Sequence, residues 1–222
     1  MKQSTGGSAR PVSKGSSKSL DYHVIASGSS GNAVRIGNIM IDCGTTYAAM
    51  KDDLYKVDTL LITHSHSDHV HLPTFKRIRK EFPRIKVYAN AYTAYQYDVD
   101  VVIGTAPVKL PKKRTVIPFD GRHDIPVTYF IIQMDGLNIF YATDTSYVEN
   151  PLNLPLDYVF LESNYDERKL REMAKQYRRK GYDPAVSNLR HLSTQKCKEF
   201  YYVNRRNKDS ELIELHKSSR FY

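Results

Sequence analysis

The 222-residue sequence predicts an α/β fold in which two β-sheets are covered by helices. Short apolar segments separated by glycine turns predict strands near the start of the chain. The middle of the chain alternates strand-like with helix-like segments, and a pair of later segments is joined by a tight turn, as in a hairpin. A chain of this length without an obvious internal repeat is expected to form one sizeable domain.

The predicted elements of the first half are short. The expected strands are DYHVIASG, AVRIG, NIMIDCG, VDTLLITH and IKVYAN. Between the last two, the segment LPTFKRIRKEF places Leu72, Phe75, Ile78 and Phe82 near one face and predicts a helix. The Pro-rich and Lys-rich segment APVKLPKKRTVIPFD is expected to form a loop and an edge strand.

The second half predicts a hairpin, two more strands and two helices. The hairpin joins VTYFIIQMDG to LNIFYATDT, the strands are LDYVFLES and ELIELH, and one helix is TQKCKEFYYV. The other helix lies in DERKLREMAKQYRRKGY, where Leu170, Met173, Ala174 and Tyr177 follow the i, i+3, i+4, i+7 spacing of an amphipathic helix. Its outer face is basic, which fits either a solvated surface or a contact with a phosphate backbone.

The composition favours an anionic partner. The formal net charge of +9 points first to nucleic acid. Residues 1–19 are basic and almost without apolar side chains, so we expect a disordered tail there and a single domain over residues 20–222. No segment reaches the roughly 20 apolar residues of a membrane span, no secretory signal is visible, and Cys43 and Cys197 form no Cys-x-x-Cys pair, so we expect a cytoplasmic protein without membrane contact.

The segment THSHSDHVHL contains four of the eight histidines of the chain and directly follows an apolar strand. On an extended chain His64 and His66 emerge on the same side, and imidazole pairs suit zinc and similar divalent ions. Asp68 and His69 follow and could serve a second ion nearby. The alternative is a polar surface loop, but the density of ligand-type residues favours metal binding, whereas His23, Ser65 and His71 are expected to be ordinary polar residues.

The segment HSHSDH resembles the H-x-H-x-D-H signature of the metallo-β-lactamase fold. Four further segments of this chain resemble the other metal-site motifs of that family, and they occur in the family's order. They are IDCG with Asp42, GRHDIPVTYFI with His123, YATDT with Asp144, and ELHKSSRF with His216. The resemblance extends from about Leu20 to the end of the chain and implies an αββα sandwich with two metal ions at the sheet edges.

The resemblance also implies a set of ligands. One ion would be held by His64, His66 and His123. The other would be held by Asp68, His69 and His216, with Asp144 between the two ions and Asp42 supporting the loop beneath them. Zinc and manganese both suit this mixture of nitrogen and oxygen ligands.

Two other segments, LESNYDE and RHLST, resemble the phosphodiesterase branch of the family, which includes ribonuclease Z and the WalJ-type proteins. The resemblance implies that His191 protonates the leaving oxygen, that Glu162 orients His191, and that Asp68 is essential for turnover. Such chemistry suits a phosphodiester, which needs a metal-bound hydroxide to attack and an acid to protonate the departing alkoxide. The alternative for Glu162 and His191 is an ion pair at the start of a helix.

The substrate stays open between two kinds of phosphodiester. WalJ-type relatives are exonuclease-like, whereas compact phage members of the anti-Pycsar type hydrolyse cyclic nucleotides such as cCMP and cUMP and counter host defence in the host cytoplasm. Only about twenty residues separate His123 from Asp144, which leaves no room for the tRNA-gripping arm of ribonuclease Z. A thioesterase or lactamase would leave Glu162 and His191 unexplained. Relatives of this kind commonly form homodimers.

Overall fold

Two six-stranded β-sheets lie at the centre of the computed structural model, which describes residues 19–150, 152–178 and 190–218. The first sheet follows the chain order β1 (Tyr22–Ala26), β2 (Ala33–Ile36), β3 (Ile39–Ile41), β4 (Thr59–Ile62), β5 (Lys86–Ala89) and β6 (Val101–Val102). The second has the order β12 (Glu211–Leu215), β11 (Tyr158–Glu162), β10 (Leu137–Ala142), β9 (Thr128–Met134), β8 (Arg114–Asp120) and β7 (Val108–Leu110).

Each sheet is antiparallel on one side and parallel on the other. β1, β2 and β3 are antiparallel neighbours, and β3 to β6 are parallel. In the second sheet β7 to β10 are antiparallel, and β10, β11 and β12 are parallel. Several strands therefore end at the same edge of each sheet, and the loops that follow them can meet.

Helices cover the outer face of each sheet. They are α1 (Tyr47–Leu54), α2 (Leu72–Glu81), α3 (Ala91–Gln96), α4 (Glu167–Arg178) and α5 (Thr194–Asn204). One apolar cluster lies between the sheets, a second lies between the first sheet and α1 and α2, and a third lies between the second sheet and α5. Alternation along β3 explains the layering, because Ile39 and Ile41 join the cluster between the sheets while Met40 joins the one under the helices.

This architecture confirms the predicted sandwich of two sheets between helices. The sequence did not predict α1, α3 or β6, which are short. The Pro-rich segment also contains two strands rather than one, because Lys112 and Lys113 adopt positive φ and close a hairpin between β7 and β8. β7 pairs only with residues 114–116, so Pro118 lies beyond it, where a missing N–H is tolerated.

The sequence predicts Leu72 on the buried face of α2, yet the residue is 44% exposed because it is the first residue of the helix and precedes the turns that pack on the sheet. In α4, Leu170 is buried as expected, whereas the side chains of Ala174 and Tyr177 lie outside the described residues, as does the predicted tail up to residue 18.

No helix among the described residues combines the length and apolar character that a membrane crossing requires.

A buried arginine joins the two sheets. Arg114 of β8 donates from Nη2 to Asp58 Oδ1 at 2.6 Å, and Asp58 immediately precedes β4. The Arg114 side chain is only 2% exposed. Burial opposes ionisation of Asp58, but hydrogen bonds from Arg114, Lys112 and Thr59 outweigh it and lower the pKa of the carboxyl. The folded state therefore stabilises the ionised form of Asp58.

Replacing Asp58 by asparagine is expected to lower the free energy of unfolding by about 1.5–3 kcal/mol near neutral pH, because a hydrogen bond to a charged group loses its charge. The pKa of Asp58 is lower in the folded than in the unfolded state, so this contribution is present above the unfolded pKa and is lost as the pH falls through the folded pKa. Urea unfolding of wild type and Asp58→Asn at about pH 7 and about pH 3.5 tests this. A difference that persists unchanged at the lower pH would contradict it, and the exposed Asp52→Asn variant serves as control.

Candidate metal centre and active site

The side chains singled out in the sequence converge at one edge of the sandwich. They lie just past the ends of five strands. Asp42 follows β3, His64, His66, Asp68 and His69 follow β4, His123 follows β8, Asp144 follows β10, and His216 follows β12. Glu162 is the last residue of β11, and His191 lies shortly before α5. The fold thus brings together segments that are far apart in the sequence.

Three imidazoles form the first group. Nε2 of His64 lies 3.1 Å from Nδ1 of His66, which in turn lies 3.3 Å from Nε2 of His123. One nitrogen from each ring lies within 4.8 Å of the others. Burial lowers the pKa of His64 to about 2 and also lowers that of His123. Both rings are therefore neutral near pH 7 and offer the lone pairs that a metal ion requires.

Asp144 is the centre of the second group. Its Oδ2 lies 2.5 Å from His69 Nε2, and its Oδ1 lies 3.3 Å from His216 Nε2. Asp68 Oδ2 lies 3.7 Å from the same nitrogen of His69. Burial opposes ionisation of Asp144, but the hydrogen bond and charge of His69 hold the pKa of this carboxyl far below its usual range. His64, His69 and Asp144 also satisfy the spacing of a metal-binding group, so Asp144 lies between the two groups.

Asp42 supports this arrangement from below. Its fully buried carboxylate accepts a hydrogen bond from the Thr63 N–H at 2.8 Å and lies 2.8 Å from His69 Nδ1. Burial opposes protonation of His69, yet the negative charges of Asp42 and Asp144 raise its pKa to about 10. The carboxylates around His69 therefore favour positive charge at this position.

The residues present fit divalent metal ions. Nε2 of His216 is buried and makes no hydrogen bond within the described part of the chain, although it points at Asp144. Buried polar atoms normally have a partner, and a metal ion would provide one here. Histidine nitrogens combined with carboxylate oxygens form a donor set that both zinc and manganese accept.

Glu162 and His191 form a pair beside the second group. His191 Nδ1 lies 2.6 Å from Glu162 Oε1, and the other carboxylate oxygen accepts the Thr145 N–H at 2.6 Å. The same Oε1 lies 3.1 Å from His216 Nδ1. The start of α5 is capped separately by Ser193, which accepts the Lys196 N–H. Helix capping therefore does not account for the contact between Glu162 and His191.

Three neighbouring residues were not singled out in the sequence. Asn32 is buried, and its Nδ2 lies 2.9 Å from His69 Nε2 and 3.4 Å from Asp68 Oδ2. Asp124 Oδ1 lies 3.0 Å from His123 Nε2. Gly44 packs so closely on the loop after β4 that an added Cβ would lie 1.7 Å from the Asp68 carbonyl oxygen. The glycine-rich segment ASGSSGNA was the available signal for Asn32, and adjacency to His123 was the signal for Asp124.

Residues 37–175, which are more than half of the chain, match the family model described as a beta-lactamase superfamily domain. The fold resembles the crystal structure of YhfI from Bacillus subtilis, described as a metallo-beta-lactamase fold protein, with a TM-score of 0.66 at 16% identity over 90% of this chain and 86% of that one. The chain belongs to the metallo-β-lactamase superfamily. The family membership predicted from the sequence is thereby confirmed.

Two curated relatives within this superfamily carry nuclease names. Exodeoxyribonuclease YycJ of Bacillus anthracis is 30% identical over 179 residues, covering 68% of this chain and 66% of the relative. Exodeoxyribonuclease WalJ of Streptococcus pneumoniae is 25% identical over 200 residues, covering 78% of this chain and 72% of the relative. The nuclease names describe these relatives, and the chain spans just under two thirds of the length of YycJ.

Replacing Asn32 by alanine is expected to weaken metal binding by about 10- to 100-fold, because residues that orient metal ligands typically contribute this much. The variant loses the amide contacts to His69 and Asp68. Competition of the metal-loaded protein with a chelator, followed by elemental analysis, measures this without an activity assay. Asn38→Ala is the matched control, since Asn38 bonds to the Lys56 carbonyl at the opposite end of β2. Equal metal retention in the two variants would contradict the assignment.

Proposed function

We propose that the protein is a dinuclear metal-dependent phosphodiesterase that cleaves nucleic acid. The general phosphodiesterase activity is supported by the superfamily and by the nuclease names of the curated relatives. The observation that carries the proposal is the placement of the His191–Glu162 pair directly beside the Asp144 group. A phosphodiester needs both a position for cations and a proton donor for the leaving oxygen.

The proposed metal ligands correspond to the two groups of side chains described above, the three imidazoles and the residues around Asp144. His64, His66 and His123 would hold one ion. Asp68, His69 and His216 would hold the other, and Asp144 would contact both. Bound zinc or manganese would lower the pKa of a water nucleophile and neutralise charge on the phosphate.

His191 is the proposed proton donor. Its ring is 23% exposed, so it borders the open side of the site, whereas Glu162 is fully buried behind it. The Glu162 carboxylate fixes the orientation of the ring through its contact with Nδ1. The Thr145 N–H in turn fixes the carboxylate. A β-lactamase or thioesterase reaction would give this pair no evident task.

Nucleic acid is proposed as the substrate because of the positive charge of the chain and the names of the two curated relatives. The formal net charge of +9 favours a polyanion. Arg190 Nη1 lies 3.5 Å from Asp124 Oδ2, and Asp124 Oδ1 contacts His123, so a guanidinium group borders the candidate site. The names of the two curated relatives favour DNA over a cyclic nucleotide.

A substrate panel tests the proposal. The purified protein, loaded with zinc or with manganese, is incubated with single-stranded DNA, double-stranded DNA, RNA and 3′,5′-cyclic mononucleotides. Shortening of DNA from its ends is the expected result. Hydrolysis of cyclic mononucleotides alone would replace the polymer substrate by the messenger substrate and favour a role against host defence signalling. Hydrolysis of none of these substrates would refute the phosphodiesterase.

Replacing His191 by alanine is expected to lower kcat by about 10²- to 10⁴-fold, the usual contribution of general acid catalysis, while KM changes by only a few fold. Steady-state kinetics on the best substrate of the panel measure both constants. His23→Ala is the control, because His23 lies on β1 and pairs with Asp53 away from the site. A rise in KM at unchanged kcat would assign His191 to substrate binding instead.

Removing the metal with a chelator is expected to abolish activity, and added zinc or manganese should restore it.

Asp68→Ala is expected to stay inactive even in a metal-replete assay, with little change in thermal stability because the Asp68 side chain is 27% exposed. The exposed Asp209→Ala variant provides the comparison. Full activity of Asp68→Ala would remove this residue from the proposed site.

A further inference from the structure

A cavity of about 450 Å³ lies next to the candidate site, beneath the loops that follow β8 and β10. Its size is within the usual range for small-molecule sites. Arg122, Tyr129 and Tyr147 line it, together with the carboxylates of Asp120 and Glu149. None of these residues belongs to the metal-binding groups described above.

One wall of the cavity contacts the metal-binding residues directly. The Tyr129 hydroxyl donates to the Asp144 carbonyl oxygen at 3.4 Å and accepts the Arg122 N–H at 3.2 Å. Arg122 is also the residue before His123. A ligand in the cavity would therefore lie beside the two segments that provide Asp144 and His123.

Tyr147 lines the cavity and is exposed to solvent. The residue is 48% exposed, and the Arg122 guanidinium carbon lies 5.1 Å from the ring centroid. Thr145 Oγ1 accepts the Tyr147 N–H and donates to its carbonyl oxygen. The Thr145 N–H also donates to Glu162, so the backbone of Tyr147 is held at a fixed position relative to the His191–Glu162 pair.

These groups match the parts of a nucleotide. An exposed tyrosine ring offers a stacking surface for a base, and a guanidinium binds phosphate oxygens. Asp120 and Glu149 repel a phosphate but accept hydrogen bonds, so the cavity favours the uncharged, donor-bearing sugar and base. A phosphate attached to that nucleoside would then lie away from these two carboxylates, on the side of the cavity lined by Arg122.

We propose that this cavity binds the nucleoside adjoining the scissile phosphate, with the base stacked on Tyr147 and the phosphate contacted by Arg122. The proposal rests on the phosphodiesterase function proposed above and adds the part of the substrate that the protein recognises. It makes Tyr147 a specificity-determining residue.

Three esters with the same leaving group test the proposal. Thymidine 5′-(4-nitrophenyl phosphate) and thymidine 3′-(4-nitrophenyl phosphate) contain a nucleoside, whereas methyl 4-nitrophenyl phosphate does not. Wild type is expected to show a higher kcat/KM for at least one thymidine ester than for the methyl ester. Tyr147→Ala should reduce this preference by about five- to 150-fold, the range measured for loss of one base–aromatic stack. Tyr147→Phe, which keeps the ring, should retain most of it.

Tyr202→Ala is the matched control. Tyr202 is 62% exposed and also lies against an arginine, Arg205, at 4.8 Å, but Arg205 pairs with Leu156 near the start of β11, at the end of the sheet away from the site. This variant should keep the wild-type preference. An undiminished preference in Tyr147→Ala, or no preference in wild type, would overturn the nucleoside site while leaving the phosphodiesterase in place. Failure of wild type to hydrolyse any of the three esters, DNA or RNA would refute the function itself, and the nucleoside site with it.

Discussion

The buried carboxylate of Asp42 is the interaction on which the rest of the site depends. It is fully buried, and burying a charge is costly unless it is paired and hydrogen-bonded. Here Thr63 supplies both its N–H and its hydroxyl, and the His69 ring supplies Nδ1. One carboxylate thus links the end of β3, the end of β4 and the loop that contains the candidate ligands. Without this carboxylate, neither Thr63, which directly precedes His64, nor the His69 ring would be held in place by a hydrogen bond to Asp42.

Backbone strain accompanies this construction. Asp42, Asp144 and His216 all adopt positive φ, at 60°, 51° and 53°, within two residues of the ends of β3, β10 and β12. Such conformations are unfavourable for residues other than glycine and persist only where the surroundings enforce them. For His216 the enforcing contacts are a hydrogen bond from its N–H to Ser27 and one from Asn164 to its carbonyl oxygen. Sharp turns at the strand ends direct side chains from separate segments toward one another.

How much the sequence could predict depended on how far apart the cooperating residues lie. The HSHSDH segment was readable because its ligand-type residues are contiguous and follow an apolar strand. His123, Asp144 and His216 were predicted as ligands only from the order of the motifs in a known family, because no local sequence pattern distinguishes a ligand from any other single histidine or aspartate. Asn32 and Tyr147 were not singled out, since their importance arises from contacts with distant loops. The exposure of Leu72 likewise follows from where α2 begins to pack, which periodicity alone does not specify.

The charge of the site runs against that of the whole chain. The protein carries a formal net charge of +9, yet the candidate site brings together the buried carboxylates of Asp42, Asp144 and Glu162 and the partly exposed carboxylate of Asp68. A phosphate diester would be drawn to the protein by its overall charge and repelled by these groups at close range. Divalent cations bound there would reverse the sign at that point. Metal binding and binding of a phosphate diester would then be thermodynamically linked, and each would strengthen the other by the same factor.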